Sequence, residues 1–473
     1  MARNRFEPTW ESLAQYRVPE WYRNAKLGIF IHWGVYAVPA FGNEWYPRNM
    51  YRRDQPEFEH HRKAWGPQST FGYKDFIPLF KAGRWNPDAW AELFEQAGAR
   101  YVVPVAEHHD GFPMYDCSFT DWNAVKRGPC RNIISELSTA TRKRNLKFAV
   151  SSHRAFNWSY YTFEPDFDTV DPRHSGLYGP AHPPTPLVSS QLGELRQTAP
   201  QEFLKGWLAR THELVDKFQP DLVYFDWCFG APEFEPYRRE FAAYYYNRAA
   251  EWGTEPVINY KQDAFAEGTA VLDIERGKLS GIREQHWQTD TSVSYKSWGY
   301  IENDEFKSVT TLVHDLVDIV SKNGNLLLNV GPQADGTIPD EATQRLLGLG
   351  EWLRVNGEAI YDTRPWHTFG EGETSVVTTS FKEHEQQPFT ASDIRFTTKR
   401  NTLYAICLGW PGREALIKSL GSGSPLSARQ IAQIRLLGAQ EPLMWSQDRS
   451  GLRIQLPAVK PCDHAFAYKI VLQ

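Results

Sequence analysis

The apolar run Leu222, Val223, Tyr224 and Phe225 ends in a carboxylate, Asp226, with Trp227 beside it. Burying a lone carboxylate is costly unless the group is paired or used. The same junction recurs along the chain. One run ends in His32 and Trp33, a second in Glu107, His108, His109 and Asp110, a third in His153 and Arg154. Later runs end in Asn259, Tyr260 and Lys261, and in Asp273, Glu275 and Arg276. Run-ends of this kind imply one polar pocket walled by imidazoles, carboxylates and indoles, which suits a polyhydroxylated ligand. Two carboxylates on different strands also suit glycoside hydrolysis. One serves as nucleophile or base, and the other protonates the leaving oxygen. Asp226 is the expected nucleophile and Glu275 the expected acid/base, with Arg276 placed to adjust its proton affinity. Plainer roles compete: Asp226 as a salt-bridged structural residue, Glu275 as a surface partner of Arg276 or Lys278. His108 and His109 are neighbours on a strand and point to opposite faces. With no HxH or HExxH spacing, a metal site is not expected. His60 and His61, in "EFEHHRK", are expected on a solvated face.

The elements that must position these residues are short apolar runs: "LGIFIHWG", "RYVVPVAEHHDGF", "LKFAVSSHRAFNW", "PDLVYFDW", "PVINYK", "AVLDIERG" and "GNLLLNVGP". Fully apolar strands alternating with helical patterns make a parallel sheet. No Gly-rich phosphate loop follows the first, which favours an α/β fold of the (β/α)8-like TIM-barrel type over a doubly wound sheet. An eighth run is not legible, so an irregular barrel stays open. In a barrel the strand C-termini face the active site. Asn86 is expected to cap a helix that has Pro87 in its first turn. A second helix is expected to carry Phe306, Val309, Val313, Leu316 and Val320 on one face and to stop at Gly324. Past about Trp366 short strands joined by turns read as a C-terminal antiparallel β-sandwich. The expected division is a catalytic barrel domain over 1–365 and a sandwich domain over 366–473. The Pro/Gly-rich stretch 160–200 is expected to be a long barrel loop that governs substrate choice.

The 473 residues carry a net charge of -5 and no basic stripe, so nucleic acid is not an expected partner. No run approaches the ~18 apolar residues of a membrane span. Five cysteines without CxxC spacing argue against a disulfide framework or a structural zinc. No cofactor is expected. The reduced cytoplasm fits this cysteine usage; a secreted or periplasmic protein that had lost its leader would look the same.

The motifs "NGNLLLNVGPQADGTIP" (Asn323 to Pro339), "FIHWG" (Phe30 to Gly34), "EWY" (Glu44 to Tyr46), "HHDGF" (His108 to Phe112) and "PDLVYFDW" together resemble the α-L-fucosidases of glycoside hydrolase family 29. The resemblance spans roughly residues 6 to 365, and the C-terminal sandwich matches in type. It implies a retaining exo-hydrolase of terminal α-L-fucose, acting on fucosylated oligosaccharides or glycoconjugates, with Asp226 in the nucleophile's place. It implies that His32, His108, His109 and Trp45 hold the sugar hydroxyls, with Glu44 beside that Trp. Phe30 and Trp298 match an apolar patch around the sugar's methyl group. "DIERG" resembles one variant of the acid/base segment and points to Glu275, with Glu284 in "GIREQHW" as rival. Two positions depart from the commoner pattern. Lys261 stands where an Arg often binds the sugar, and His153 where a Tyr is common; Lys lacks Arg's planar fork. "WQTDTSVSYKSWGY" leans toward the branch that prefers α-1,3/1,4-linked fucose. "NGNLLLNVG" itself reads as structural, with its Leu run filling the barrel.

Two other functions stay open at this stage. A non-catalytic fucose-binding protein would keep the histidine and Trp shell without a working acid/base. A metal-dependent hydrolase could use a similar barrel. Linkage, aglycone and oligomeric state are not specified by these motifs.

Overall fold

A computed structural model describes residues 5–182, 187–189, 195–381, 383, 386–424 and 430–473. Eight parallel strands close into a barrel in chain order. They are β1 (Leu27–Ile31), β2 (Tyr101–Glu107), β3 (Lys147–Ser152), β4 (Leu222–Phe225), β5 (Val257–Lys261), β6 (Val271–Asp273), β7 (Trp287–Ser292) and β8 (Gly324–Val330). Helices α1 (Pro87–Gln96), α2 (Ile133–Lys143), α3 (Gln201–Phe218), α4 (Glu235–Trp252), α5 (Val309–Ser321) and α6 (Asp340–Asn356) form the outer layer. No α-helix follows β5 or β6. The barrel is therefore irregular on the side that carries Lys261 and Glu275.

The strand that apolar patterning overlooks is β7, "WQTDTS". All six of its residues are buried, yet five are polar. Hydrogen bonds offset that burial. Gln288 accepts from the hydroxyls of Tyr22 and Tyr101, each at 2.7 Å, and donates to Asp273 at 2.6 Å. Thr289 donates to the Ile274 carbonyl and Thr291 to Glu383. Inside the barrel Phe30, Val103, Ala149, Leu222, Tyr224 and Leu327 pack as a cluster separate from the helix layer. This is the alternate facing expected of barrel strands.

Local signals set the helix ends. Asn86 accepts from the Ala89 N–H, as expected of an N-cap. Helix α5 starts later than the periodicity implied, because Ser308 caps it by accepting from the Thr311 N–H. Phe306 lies outside it, in a bridge to Ser294. Gly324 does not end this helix but opens β8; the left-handed residue at the turn is Asn323, at φ 74°. His61 departs from the solvated-face expectation. It is buried, with its ring nitrogens on the Tyr46 hydroxyl and the Phe71 carbonyl, while His60 stacks on Phe41 at 3.6 Å.

The C-terminal strands are β9 (Arg364–Glu371), β10 (Ile394–Lys399), β11 (Thr402–Cys407), β12 (Glu414–Ile417), β13 (Ile431–Leu436), β14 (Trp445–Asp448), β15 (Gly451–Gln455) and β16 (Phe466–Leu472). They form two antiparallel sheets, β9-β10-β11-β16-β13 and β12-β15-β14. Ile394, Phe396, Leu403, Ile417, Leu452 and Ile454 fill the space between the sheets. On the larger sheet's other face, Tyr404, Ile406 and Ala467 join the barrel's outer core. A buried ion cluster fastens the contact. Asp318 on α5 accepts from Lys322 and from Arg395 on β10, each at 2.7 Å. Removing one member of a buried charge cluster strands the others. Asp318→Ala is expected to lower the unfolding free energy by about 3–5 kcal/mol, read by denaturant melts. A change below about 1 kcal/mol would mean that the cluster is not closed to water.

Candidate active site

Asp226 is the first residue past β4, and its carboxylate meets two imidazoles. Its Oδ2 lies 3.1 Å from His109 Nε2 and 3.3 Å from His153 Nδ1. His109, just beyond β2, is fixed through Nδ1, which donates to the His153 carbonyl at 2.5 Å. His153, just beyond β3, is fixed through Nε2 on the Ser151 hydroxyl at 2.7 Å. Burial alone would raise the proton affinity of Asp226. The neighbouring His153, hydrogen bonds from both imidazoles and the charge of Lys261 outweigh it and hold the carboxyl well below the ordinary range.

Glu275 is held differently. Strand β6 is short, but the chain beyond it keeps running along β7. The Ile274 N–H donates to the Gln288 carbonyl at 2.9 Å and the Arg276 N–H to the Asp290 carbonyl at 2.8 Å. Glu275 is thereby aimed into the barrel mouth. Its Oε2 accepts from Lys261 Nζ at 2.7 Å. That ammonium also meets Asp290 at 3.0 Å and Asp273 at 3.5 Å. Burial pushes the Glu275 carboxyl up to about 8; Lys261 pulls it down, and the charges of Asp290 and Asp226 push it up. The two carboxyl groups are thus driven apart, the pattern that separates an acid from a nucleophile in one pocket.

Both carboxylates line one cavity of about 690 Å³ with His32, Glu44, Trp45, His108, His109, His153, Asp290 and Trp298. His32 Nδ1 donates to Asn329 Oδ1 at 2.7 Å, which leaves Nε2 as the free acceptor. Asn329 also donates to the Trp298 carbonyl at 2.7 Å. Burial lowers the His32 and His108 rings, so both are neutral. His108 Nδ1 has no partner among the described residues. Glu44 accepts from the Trp298 N–H at 2.9 Å and so ties two walls together. Trp45 and Trp227 are near-parallel at 6.0 Å. A larger hollow of about 950 Å³ around Arg84, Trp90 and Gln333 contains none of the expected site residues.

Three expected residues lie elsewhere. Phe30 sits one layer down in the barrel interior, with its ring 4.5 Å from His32 and 6.4 Å from Trp298, so it supports the pocket floor without lining it. Lys261 is buried beneath Glu275 and engaged by carboxylates, not open to a sugar. Glu284 precedes β7, is exposed, and its carbonyl accepts from Asn323 at the start of β8; it is at the opposite end of the barrel from Asp226. Among strand-end ions, Glu107 pairs with Arg154 and Arg210, and Asp110 accepts from Tyr73. No described residue of 160–200 lines the cavity; its rim comes from 43–55, from Tyr295 to Trp298, and from Phe381. Sequence patterning missed Asp290, Asn329 and Phe381, and noted Trp227 only as the neighbour of Asp226. Asp290 was hidden in the polar strand, and Asn329 in a motif taken as filler.

Among the described residues, two groups have donor atoms close enough for a cation: His32, His108 and His153, and His109, His153 and Asp226. In the first group His32 Nδ1 and His153 Nε2 are already bonded to Asn329 and Ser151. In the second the ring nitrogens facing Asp226 satisfy its charge.

Residues 1–358 match the family model for α-L-fucosidase, and residues 386–473 that for the α-L-fucosidase C-terminal domain. Human plasma α-L-fucosidase is 33% identical over 478 residues, spanning 98% of this chain and 92% of its own. Mouse tissue α-L-fucosidase is 32% identical over 470 residues, again spanning 98% of this chain and 92% of its own. The crystal structure of Thermotoga maritima α-fucosidase matches with a TM-score of 0.78 at 32% identity, covering 99% of this chain and all of that one. The same enzyme bound to a mechanism-based inhibitor gives 0.79 at 31% identity, with the same coverage. A closed barrel with a C-terminal sandwich, two carboxyl groups lining one cavity, and likeness along the whole length lead to one conclusion: the chain belongs to the α-L-fucosidase family of glycoside hydrolases.

Proposed function

We propose that the cavity removes terminal α-L-fucose by double displacement, with Asp226 as nucleophile and Glu275 as acid/base. The observation that carries this reading is the pair itself. The two carboxyls share one cavity, Asp226 held ionised and Glu275 held protonated at neutral pH. A binding protein would have no need of such a pair. In the first step an Asp226 oxygen bonds to C1 as the C1–O bond to the leaving group breaks, and Glu275 gives its proton to that oxygen. In the second, water attacks C1, Glu275 takes the water's proton, and Asp226 leaves. His32 and His108 present neutral nitrogens to the sugar hydroxyls, and Trp45 and Trp298 give apolar faces. The methyl group of a 6-deoxy sugar suits Trp298, which packs on His32 at 5.2 Å over the Phe30 floor. In this reading His153 serves Asp226, and Lys261 serves Glu275. The division at 365/366 is then one of fold alone, because Phe381 comes from the C-terminal side and completes the rim. Preference for α-1,3/1,4 linkages rests on "SVSYKSWGY", whose Tyr295, Lys296 and Trp298 line the cavity. No described helix is long and apolar enough to cross a membrane.

Asp226→Ala is expected to lower kcat on an aryl α-L-fucoside by at least about 10³-fold. Glu275→Ala is expected to spare part of that activity and to yield fucosyl azide when azide is added, whereas Glu284→Ala behaves as wild type. Azide rescue of Glu284→Ala alone would overturn the acid/base choice.

The acid must be protonated to act, so kcat/KM is present below the Glu275 pKa and lost above it. A basic limb centred near pH 8 is expected, absent in Glu275→Gln. A wild-type profile flat to pH 10 would contradict the assignment.

Asn329→Ala frees His32 to rotate and leaves its Nδ1–H unpaired. The unpaired buried donor costs about 1–3 kcal/mol of folding stability, and with the ring no longer fixed kcat/KM should also fall by about tenfold or more, measured on protein shown to be folded. Chelation by EDTA is expected to leave turnover unchanged; loss restored by a divalent cation would favour the metal-dependent reading.

A further inference from the structure

Two aromatic rings at the cavity mouth have no part in the chemistry above. Phe381 is 41 % exposed and Tyr295 is 44 % exposed, and both line the cavity that holds Asp226 and Glu275. Unlike the other exposed apolar side chains, such as Met444 and Val459, these two line the cavity, where an entering ligand would meet them.

Phe381 is held there at a conformational cost. Its φ is 59°, in the left-handed region that bulky residues avoid. The segment around it is tied down on both sides. Thr379 and Lys278 exchange backbone hydrogen bonds at 3.0 and 3.1 Å. The Ser380 hydroxyl and the Phe381 N–H both donate to the Glu275 carbonyl, at 3.0 and 3.1 Å. Two residues on, buried Glu383 accepts from Arg276 at 2.6 Å, Lys307 at 2.7 Å and Thr291 at 2.6 Å. The C-terminal part of the chain thus sends a strap back over the barrel, fastened to the Glu275–Arg276 turn, with a phenyl ring left in solvent. Tyr295, from the loop after β7, lines the same cavity. Its N–H donates to the Glu305 backbone carbonyl at 2.8 Å, and Lys307 Nζ lies 5.8 Å from its ring centre.

We propose that Phe381 and Tyr295 form a platform for the first pyranose ring of the aglycone. This rests on the reading of Glu275 as the acid. The group that protonates the glycosidic oxygen must lie against the bond being cut, so the departing sugar occupies the space beside Glu275. The strap bonds that very residue through its backbone. A pyranose offers a face of C–H groups that packs on an aromatic ring while its edge hydroxyls stay in water. The platform therefore selects for a sugar leaving group and contributes nothing to a leaving group too small to reach it.

The test compares α-L-fucosyl fluoride with α-L-fucosyl disaccharides linked 1→2 to galactose and 1→3, 1→4 and 1→6 to N-acetylglucosamine. For wild type, Phe381→Ala, Phe381→Trp and Tyr295→Ala, the ratio of kcat/KM on the best disaccharide to kcat/KM on the fluoride is measured. The ratio should fall about tenfold in each alanine variant, a difference of about 1.4 kcal/mol, and be kept in Phe381→Trp. An unchanged ratio, with both substrates slowed alike, would mean that Phe381 only braces the Glu275 turn, and would overturn the proposal. So would a wild type that hydrolyses the fluoride but none of the disaccharides. A wild type inert to the fluoride would sink the catalytic reading itself, and the platform with it.

Discussion

One buried ammonium faces more negative charge than it can balance, and the site depends on that imbalance. Lys261 lies within 3.5 Å of Asp273, Glu275 and Asp290. A low-dielectric interior does not hold three carboxylates against one ammonium without taking up protons. Burial and the nearby Asp290 push the Asp273 carboxyl well up, and burial raises Glu275 to about 8. Asp290 keeps a donor from the Tyr224 hydroxyl at 2.9 Å as well as from Lys261. The shortage of positive charge thus favours a proton on Glu275, which is what its proposed role as acid requires. Across the cavity Asp226 has two imidazoles to itself and stays ionised.

The fold supplies this arrangement through its irregular side. A regular barrel would place a helix after β6. Here the chain stays against β7, and its backbone bonds to Gln288 and Asp290 fix the Glu275 turn from one side. The strap holding Phe381 and Glu383 fixes it from the other, and the Asp318–Arg395 contact keeps the sandwich that sends out the strap against α5. The Glu275 turn is therefore the place where barrel and sandwich meet at the cavity, while the Asp226 side is built from barrel strand ends alone.

That difference explains what could be read from the chain. Asp226, His32, His108, His109 and His153 each follow an apolar run, so strand ends and the barrel rule brought them together without coordinates. Glu275 was legible for the same reason. Strand β7 was not, because its side chains are polar and their burial depends on partners distant in sequence, such as Tyr22 and Lys261 for Gln288 and Asp290. With β7 unseen, the main partner of Lys261 was missing too, and the resemblance, which often has an Arg at that place, gave it as a ligand for sugar. Glu284 stood as a rival because the resemblance is least regular at the acid/base segment; the two flank opposite ends of the barrel. Phe381 carried no local signal, since its place follows from the strap's return across the sandwich. Phe30 was expected at the sugar's methyl group from the family resemblance, but it packs in the barrel interior beneath His32.

The most direct measurement is to trap the covalent intermediate. Wild-type protein incubated with 2-deoxy-2-fluoro-fucosyl fluoride, digested and sequenced by mass spectrometry, should carry one fluorofucosyl group, on the Asp226 carboxylate. The label should be absent from protein in which Asp226 is replaced by alanine. A label on any other carboxylate, or turnover that inverts the anomeric centre without any label, would contradict the account.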